Sequence, residues 1–174
     1  MPELLYQVDE QDTVLGPIER KEAHKNLRLH RSGMVFIANS KGQIFIQNRA
    51  KTETFPDCYD SSSAFHIKFG ESYEEAAHRE LFEETAIKTE LRLIGKFMHN
   101  NPPEYELVGV FLGHSDQTPK LDPKEAYSGE WSSPEQVRQF ISSGKTTPWL
   151  RDGFKLLEKH LLYKQLNRKK RLYA

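Results

Sequence analysis

The sequence predicts an α+β fold in which helices pack on a mixed β-sheet, with a small hairpin at the N-terminus. Three observations carry this. Runs of β-branched and aromatic residues at 34–38, 43–47, 91–97 and 105–112 have the length and composition of strands. Ser72, followed three residues later by Glu75, is a capping-box pair that opens a helix. Leu150, Phe154, Leu157 and Leu161 recur at helical spacing and form one apolar stripe. A chain of 174 residues is one domain's worth. Residues 1–174 are therefore expected to form a single domain, with 1–28 a hairpin and short helix and 161–174 a basic tail.

Taken in order, residues 4–8 and 13–15 flank a polar turn at Asp9-Glu10-Gln11-Asp12 and predict the first hairpin. Pro17 is expected to open a short helix running to about His24, because proline is tolerated in a first helical turn. Met34–Ala38 and Gln43–Gln47 are joined by Ser40-Lys41-Gly42, which predicts a second hairpin. The polar stretch 50–58, broken by Pro56, reads as a loop entering a strand near Tyr59. An acidic helix from Ser72 should end near Thr85. Two strands, 91–97 and 105–112, follow with a turn at Asn100-Asn101-Pro102-Pro103. Residues 114–126 form a long loop of the kind that carries function. A strand ending near Trp131 precedes helices opened by Ser133-Pro134 and Thr147-Pro148. The segment Lys164–Arg171 is basic and reads as a solvated, partly disordered end.

Lysine plus arginine and aspartate plus glutamate both total 25, giving a formal net charge of zero. That disfavours duplex nucleic acid or an anionic membrane as the main partner. The single cysteine, Cys58, excludes an internal disulfide and fits a reducing compartment. No stretch approaches the roughly 18 apolar residues of a membrane span, and no leader pattern is visible. The expectation is a cytoplasmic protein acting on a small phosphorylated molecule, of undetermined oligomeric state.

On the helix after Ser72, Glu80, Glu83 and Glu84 share one arc of roughly 100°. Like charges three and four residues apart destabilise a bare helix by a few tenths of a kcal/mol per pair. Two explanations stand: a solvated acidic face, or a set of hard oxygen ligands for Mg²⁺ or Mn²⁺.

Glu71, Arg79-Glu80-Leu81 and Glu83-Glu84 also stand at the spacings of the pattern G-x5-E-x7-R-E-U-x-E-E-x-G-U. On these residues the chain resembles the Nudix hydrolases. The resemblance implies an α/β/α sandwich and hydrolysis of the diphosphate linkage of a nucleoside diphosphate derivative. It also implies metal ligation by Glu80, Glu83 and Glu84, with Arg79 orienting a glutamate and Glu71 supporting the structure. The catalytic set is then Arg79, Glu80, Glu83 and Glu84, with Mg²⁺ or Mn²⁺ as cofactor. The general base is a box glutamate or a later acid, for which Glu125 and Glu130 are the candidates.

Leu29-His30-Arg31, Asn39–Gln43, Gln47–Ala50, Trp131 and Thr147-Pro148-Trp149 further resemble the isopentenyl-diphosphate isomerases and their hydrolase relatives. This implies a second metal site of His24, His30, His66, Glu104 and Glu106. The last two alternate along a strand and so share a face. It also implies a phosphate contact for Arg49 and a substrate contact for Trp131. Isomerase chemistry is disfavoured, because the catalytic cysteine position holds Ala64 and a methyl group transfers no proton. A substrate-binding lysine of the isomerases aligns with Glu53, reversing the charge.

The box departs from its pattern twice. Ala64-Phe65 replaces a glycine pair, and Phe65 is expected to narrow the pocket or reshape its loop. Ala86 replaces the glycine that ends the helix, at a cost of about 1 kcal/mol. These departures motivate the alternative of a non-catalytic binding or regulatory module.

Overall fold

The computed structural model describes residues 2–51 and 54–172, with side chains through residue 163. Glu53 therefore lies outside the described residues. Strand β3 (His30–Ala38) is the axis of the molecule. It runs parallel to β8 (Glu104–His114) over its full length, from His30↔Glu106 to Ala38↔His114. Along its other edge it meets β1 (Leu4–Val8), then β6 (Ser63–His66), then β4 (Ile44–Arg49), all antiparallel. Strand β7 (Leu91–Asn101) pairs with β8, while β5 (Tyr59–Asp60) and β9 (Ala126–Ser132) pair with β4. The sheet is mixed, as predicted.

Both faces of β3 are covered, which is why its sequence reads as an unbroken apolar run. Met34 and Phe36 pack with Ile46, Val108 and Val110 against Leu150, Phe154 and Leu157 of α4 (Pro148–Leu172). Val137 of α3 (Pro134–Ser142) joins this layer. The alternate residues Val35 and Ile37 pack with Phe45, Phe65 and Ile67 against Tyr73, Ala76, Ala77 and Leu81 of α2 (Tyr73–Thr85). Each large apolar side chain buried in these layers contributes roughly 1.5–3 kcal/mol. Helices on both faces of one sheet make the α/β/α sandwich. Among the described residues, no helix is long and apolar enough to cross a membrane.

Several local expectations are corrected. Pro17 does not open a helix; it pairs with Tyr6 in β2 (Val14–Glu19), an edge strand. Proline is acceptable there because an edge strand has one side without a ladder partner. The helix, α1, starts later and spans Arg20–Lys25. The predicted hairpin at Ser40-Lys41-Gly42 has its turn but almost no ladder, since β3 and β4 pair only at Ala38↔Ile44. Beyond that point the strands part, and Ser62 fills the gap. Its hydroxyl accepts from the Ile37 amide at 2.8 Å and donates to the Phe45 carbonyl at 2.7 Å. The buried backbone of the parting strands is thus satisfied. At the C-terminus, α4 continues to Leu172, so residues 161–172 prolong a helix rather than forming a separate tail.

The N-terminal hairpin adds β1 and β2 to the sheet margin and delivers α1 beside β6. Asp12 fastens its turn: Arg31 Nε donates to Asp12 Oδ1 at 2.6 Å and Lys96 Nζ to Oδ2 at 2.6 Å. Lys96 and Arg31 also lie over the Tyr73 ring, at 3.8 and 5.2 Å from its centroid.

Candidate functional site

Helix α2 sets out the acidic groups. Its capping box forms as the sequence predicts: Ser72 Oγ accepts from the Glu75 amide at 3.2 Å, and Glu75 Oε2 accepts from the Ser72 amide at 2.8 Å. Glu71, just outside the cap, grips Arg79 with both oxygens, at 2.7 Å from Nε and 2.8 Å from Nη2. Arg79 Nη1 then reaches Glu80 and, at 3.2 Å, Glu83. The Glu71 hydrogen bonds hold the Arg79 guanidinium firmly charged, above its ordinary range. One arginine thus offsets three carboxylates that would otherwise repel.

Glu84 points inward and is 4% exposed. Ser63 Oγ donates to its Oε1 at 2.6 Å and Gln47 Nε2 to its Oε2 at 2.8 Å. Burial pushes Glu84 up to about 8 against those two hydrogen bonds. Burial likewise raises Glu80, with Arg79 pulling it down. Each carboxylate oxygen of Glu84 keeps a lone pair beyond its protein donor.

A second cluster lies where α1, β3, β6 and β8 meet. His24 Nδ1 is 2.7 Å from Glu104 Oε2, and His66 Nε2 is 3.0 Å from Glu106 Oε1. His30 Nδ1 donates to the Arg28 carbonyl at 2.8 Å, which leaves a lone pair on Nε2 in the neutral ring. That buried nitrogen has no hydrogen-bond partner and faces Glu106 Oε1 at 3.6 Å. His24 Nε2 and His66 Nε2 face one another at 3.2 Å. A single proton on His66 Nε2 could serve both Glu106 and His24, but nothing is left for His30. Burial lowers His66, keeping it neutral, and the His30 and His66 contacts hold Glu106 ionised against burial. The neutral His66 ring, the unpartnered His30 nitrogen and the ionised Glu106 carboxylate converge with too few protons between them. Together with His24, which its Glu104 contact shifts toward the charged form, they fit a divalent cation. Glu104 also fits a supporting part, fixing the His24 ring through Nδ1 as carboxylates do behind metal-bound histidines.

Both clusters open into one cavity of about 520 Å³, lined by Glu80, Glu83 and Glu84 on one side and by His24, His66, Glu104 and Glu106 on the other. Arg49 also lines it, yet its guanidinium is engaged by Asp60 Oδ2 at 3.1 Å and the Thr54 carbonyl at 2.8 Å. Trp131 is not among the lining residues. It sits opposite Phe45 in the β4–β9 ladder, and cross-strand partners share a face, so its ring packs edge-on against Phe45. Trp149 takes the place at the cavity, with its indole N–H donating to Asp60. Of the two later acids, Glu125 lines the cavity, whereas Glu130 stands on β9 outside it.

The sequence model of the NUDIX domain matches residues 28–152. The chain belongs to the Nudix family. Among curated proteins, it is 30% identical to an isopentenyl-diphosphate Delta-isomerase 2 of Photorhabdus laumondii, over 99% of both chains. It is 31% identical to a Nudix hydrolase of Deinococcus radiodurans, over 79% of this chain and 83% of that one. Among solved structures, a Deinococcus radiodurans protein superposes with a TM-score of 0.76 at 30% identity, covering 88% of this chain and 98% of the other.

Within this Nudix protein, the two departures from the box pattern are accommodated. Phe65 is 7% exposed and belongs to the core under α2, with its ring over Gly33 on the facing strand. Phe65 also lines the cavity, with nearly all of its surface buried. Ala86 adopts the left-handed conformation at φ 58° and closes α2 through its amide to the Phe82 carbonyl at 2.9 Å. The hold that Gln47 and Ser63 keep on Glu84 carried no sequence signal. Polar residues on strands look solvent-facing until the fold places a buried acid against them.

Proposed function

We propose that this Nudix protein is a divalent-cation-dependent pyrophosphohydrolase that cleaves the diphosphate linkage of a nucleoside diphosphate derivative. The observation that carries this is the convergence of Glu80, Glu83 and Glu84 on a cavity of about 520 Å³, a volume suited to a nucleotide-sized ligand. Glu80, Glu83 and Glu84 would hold Mg²⁺ or Mn²⁺, and the His24, His30, His66, Glu104 and Glu106 cluster would hold a second ion. A cation bound there supplies charge neutralisation at phosphate oxygens and a more acidic water. Arg79, fixed by Glu71, keeps Glu80 and Glu83 aimed together. Ser63 and Gln47 keep Glu84 from turning away. Glu125, which lines the cavity at the end of the loop before β9, would take the proton of the attacking water.

Isomerisation of an isoprenyl diphosphate is not proposed, although isomerases are among the relatives. Ala64 and His66 alternate with core-facing Phe65 on β6, so the isomerase cysteine position is held by a methyl group beside the cavity. The non-catalytic alternative draws on Phe65 and Ala86; the hydrolase reading is favoured because the box carboxylates remain at the cavity beside Phe65. The test is release of AMP from ADP-ribose with Mg²⁺ or Mn²⁺, comparing wild type with Glu84→Gln. A loss of at least about 100-fold in kcat/KM is expected, the scale of removing a main electrostatic contact. Ligand binding without turnover across nucleoside diphosphate derivatives would favour the binding module instead.

A further inference from the structure

Among the described residues, three cations line the cavity: Arg20, Arg49 and Lys68. Two of them are held by the protein itself. Arg20 Nη1 is 3.1 Å from Glu3 Oε2, and Arg49 is tied to Asp60 and the Thr54 carbonyl. Lys68 differs. Its ammonium forms no ion pair or hydrogen bond among the described residues.

The backbone aims Lys68. Along β6 and its extension, Phe65 and Ile67 enter the core at 7% and 0% exposure, and the alternate residues Ala64, His66 and Lys68 are half-buried and line the cavity. The period of two puts these three side chains on one side of the strand. A bridge from Leu5 to Lys68 holds the extension against β1, and the Lys68 amide reaches Glu71 at 3.4 Å. Lys68 therefore stands two residues past His66 and three before Glu71, between the histidine cluster and the box carboxylates. Its charge acts on Glu80 and Glu71 through space, lowering both, without contact.

We propose that Lys68 is a specificity-determining residue that contacts the phosphate oxygens of the bound diphosphate. The inference rests on the hydrolase reading and names a contact for its substrate. A half-buried lysine whose ammonium, on a four-carbon stem, is unmatched by a carboxylate is a mobile point charge that can follow a phosphate group. The rival role is purely local, in which Lys68 only offsets the negative charge of Glu80 and Glu71 and so favours their ionised forms. The two roles predict different things. A charge-tempering lysine acts on the protein without ligand, whereas a phosphate contact acts only when the diphosphate is present.

Calorimetric titration of the full chain with imidodiphosphate in excess Mg²⁺ reads the contact directly, and titration with Mn²⁺ alone reads the carboxylates. Lys68→Met should weaken imidodiphosphate binding about tenfold, the scale of one charge-assisted hydrogen bond. Lys68→Arg should stay within about threefold of wild type, since it keeps a donor charge. Mn²⁺ binding without the diphosphate should be equal or tighter in Lys68→Met, because a neighbouring positive charge is gone. In hydrolysis of ADP-ribose the loss should fall on KM, with kcat nearly unchanged. Unchanged imidodiphosphate affinity in Lys68→Met would overturn the proposal, as would a loss accompanied by weakened Mn²⁺ binding or a lowered melting temperature. The underlying reading fails separately: Glu84→Gln would then leave both Mn²⁺ binding and turnover intact.

Discussion

Phe65 and Gly33 face one another across the β3–β6 ladder, and a Cβ on Gly33 would come within 2.6 Å of the Phe65 ring. The glycine that the box pattern asks for at position 65 has in effect moved across the strand pair. The large side chain is admitted because its partner has none. Gly33→Ala should therefore destabilise the fold by roughly 1–3 kcal/mol through overpacking. Phe65→Leu removes the ring atoms that clash, so the double variant should lose less than the sum of the two single changes. Urea denaturation of the four proteins measures the coupling, and strict additivity would show that the two side chains do not compete for this space.

Ala86 closes α2 in the left-handed region, where a Cβ is strained by roughly 1–2 kcal/mol. It is exposed, so no packing is lost on shortening it. Ala86→Gly should stabilise the protein by about 0.5–1 kcal/mol after the greater entropy of glycine in the unfolded chain is subtracted. A thermal or chemical melt reads this, and a destabilisation would contradict it.

Asp12 ties the N-terminal hairpin to the sheet. Burial pushes its carboxyl up, but the Lys96 and Arg31 hydrogen bonds outweigh that and hold it below its ordinary value. A carboxylate lowered in the folded state adds stability above its unfolded value of about 3.9, and that stability is lost as pH falls through the lower folded value. Asp12→Asn can keep the left-handed backbone at φ 66°. The variant should be less stable than wild type at neutral pH by at most about 1 kcal/mol, as for a partly solvated ion pair. The gap should narrow as pH falls below about 4. Denaturation series from neutral pH into that range test it, and a gap that does not narrow at all would remove Asp12 as the cause.

Two separate clusters at one cavity predict two Mn²⁺ ions per chain. His24→Ala should abolish or greatly weaken one of them while leaving the other, and Glu84→Gln should do the converse. Calorimetry, or electron spin resonance of free Mn²⁺, counts the ions. Loss of both ions in the His24 variant alone would mean that the clusters do not bind independently.

Much of this site was legible because it is local. Ser72 and Glu75 specify a helix start, and the spacing of Glu80, Glu83 and Glu84 specifies one face, wherever that helix comes to rest. The histidine and glutamate cluster was legible only by resemblance, since its members come from α1, β3, β6 and β8. Trp131 and Trp149 show the limit. Both precede or open helices and both are large aromatics, yet only the β4–β9 register turns Trp131 onto Phe45 and only the entry of α4 brings Trp149 to the cavity. Arg49 has the right charge, but the buried Asp60 that engages it is eleven residues away around a loop.

The sequence by itself determined the α+β class, the box helix with its caps, and the acidic face that marks the Nudix family. These depend on turn chemistry and on the 3.6 and 2.0 periods, which act between near neighbours. Tertiary structure decided the rest. It matched Phe65 to Gly33, set Ser63 and Gln47 on buried Glu84, and left Lys68 without a counter-charge at the cavity. Those outcomes depend on which face each strand presents and which strand lies beside it. A shift of one residue in register would reverse every one of them.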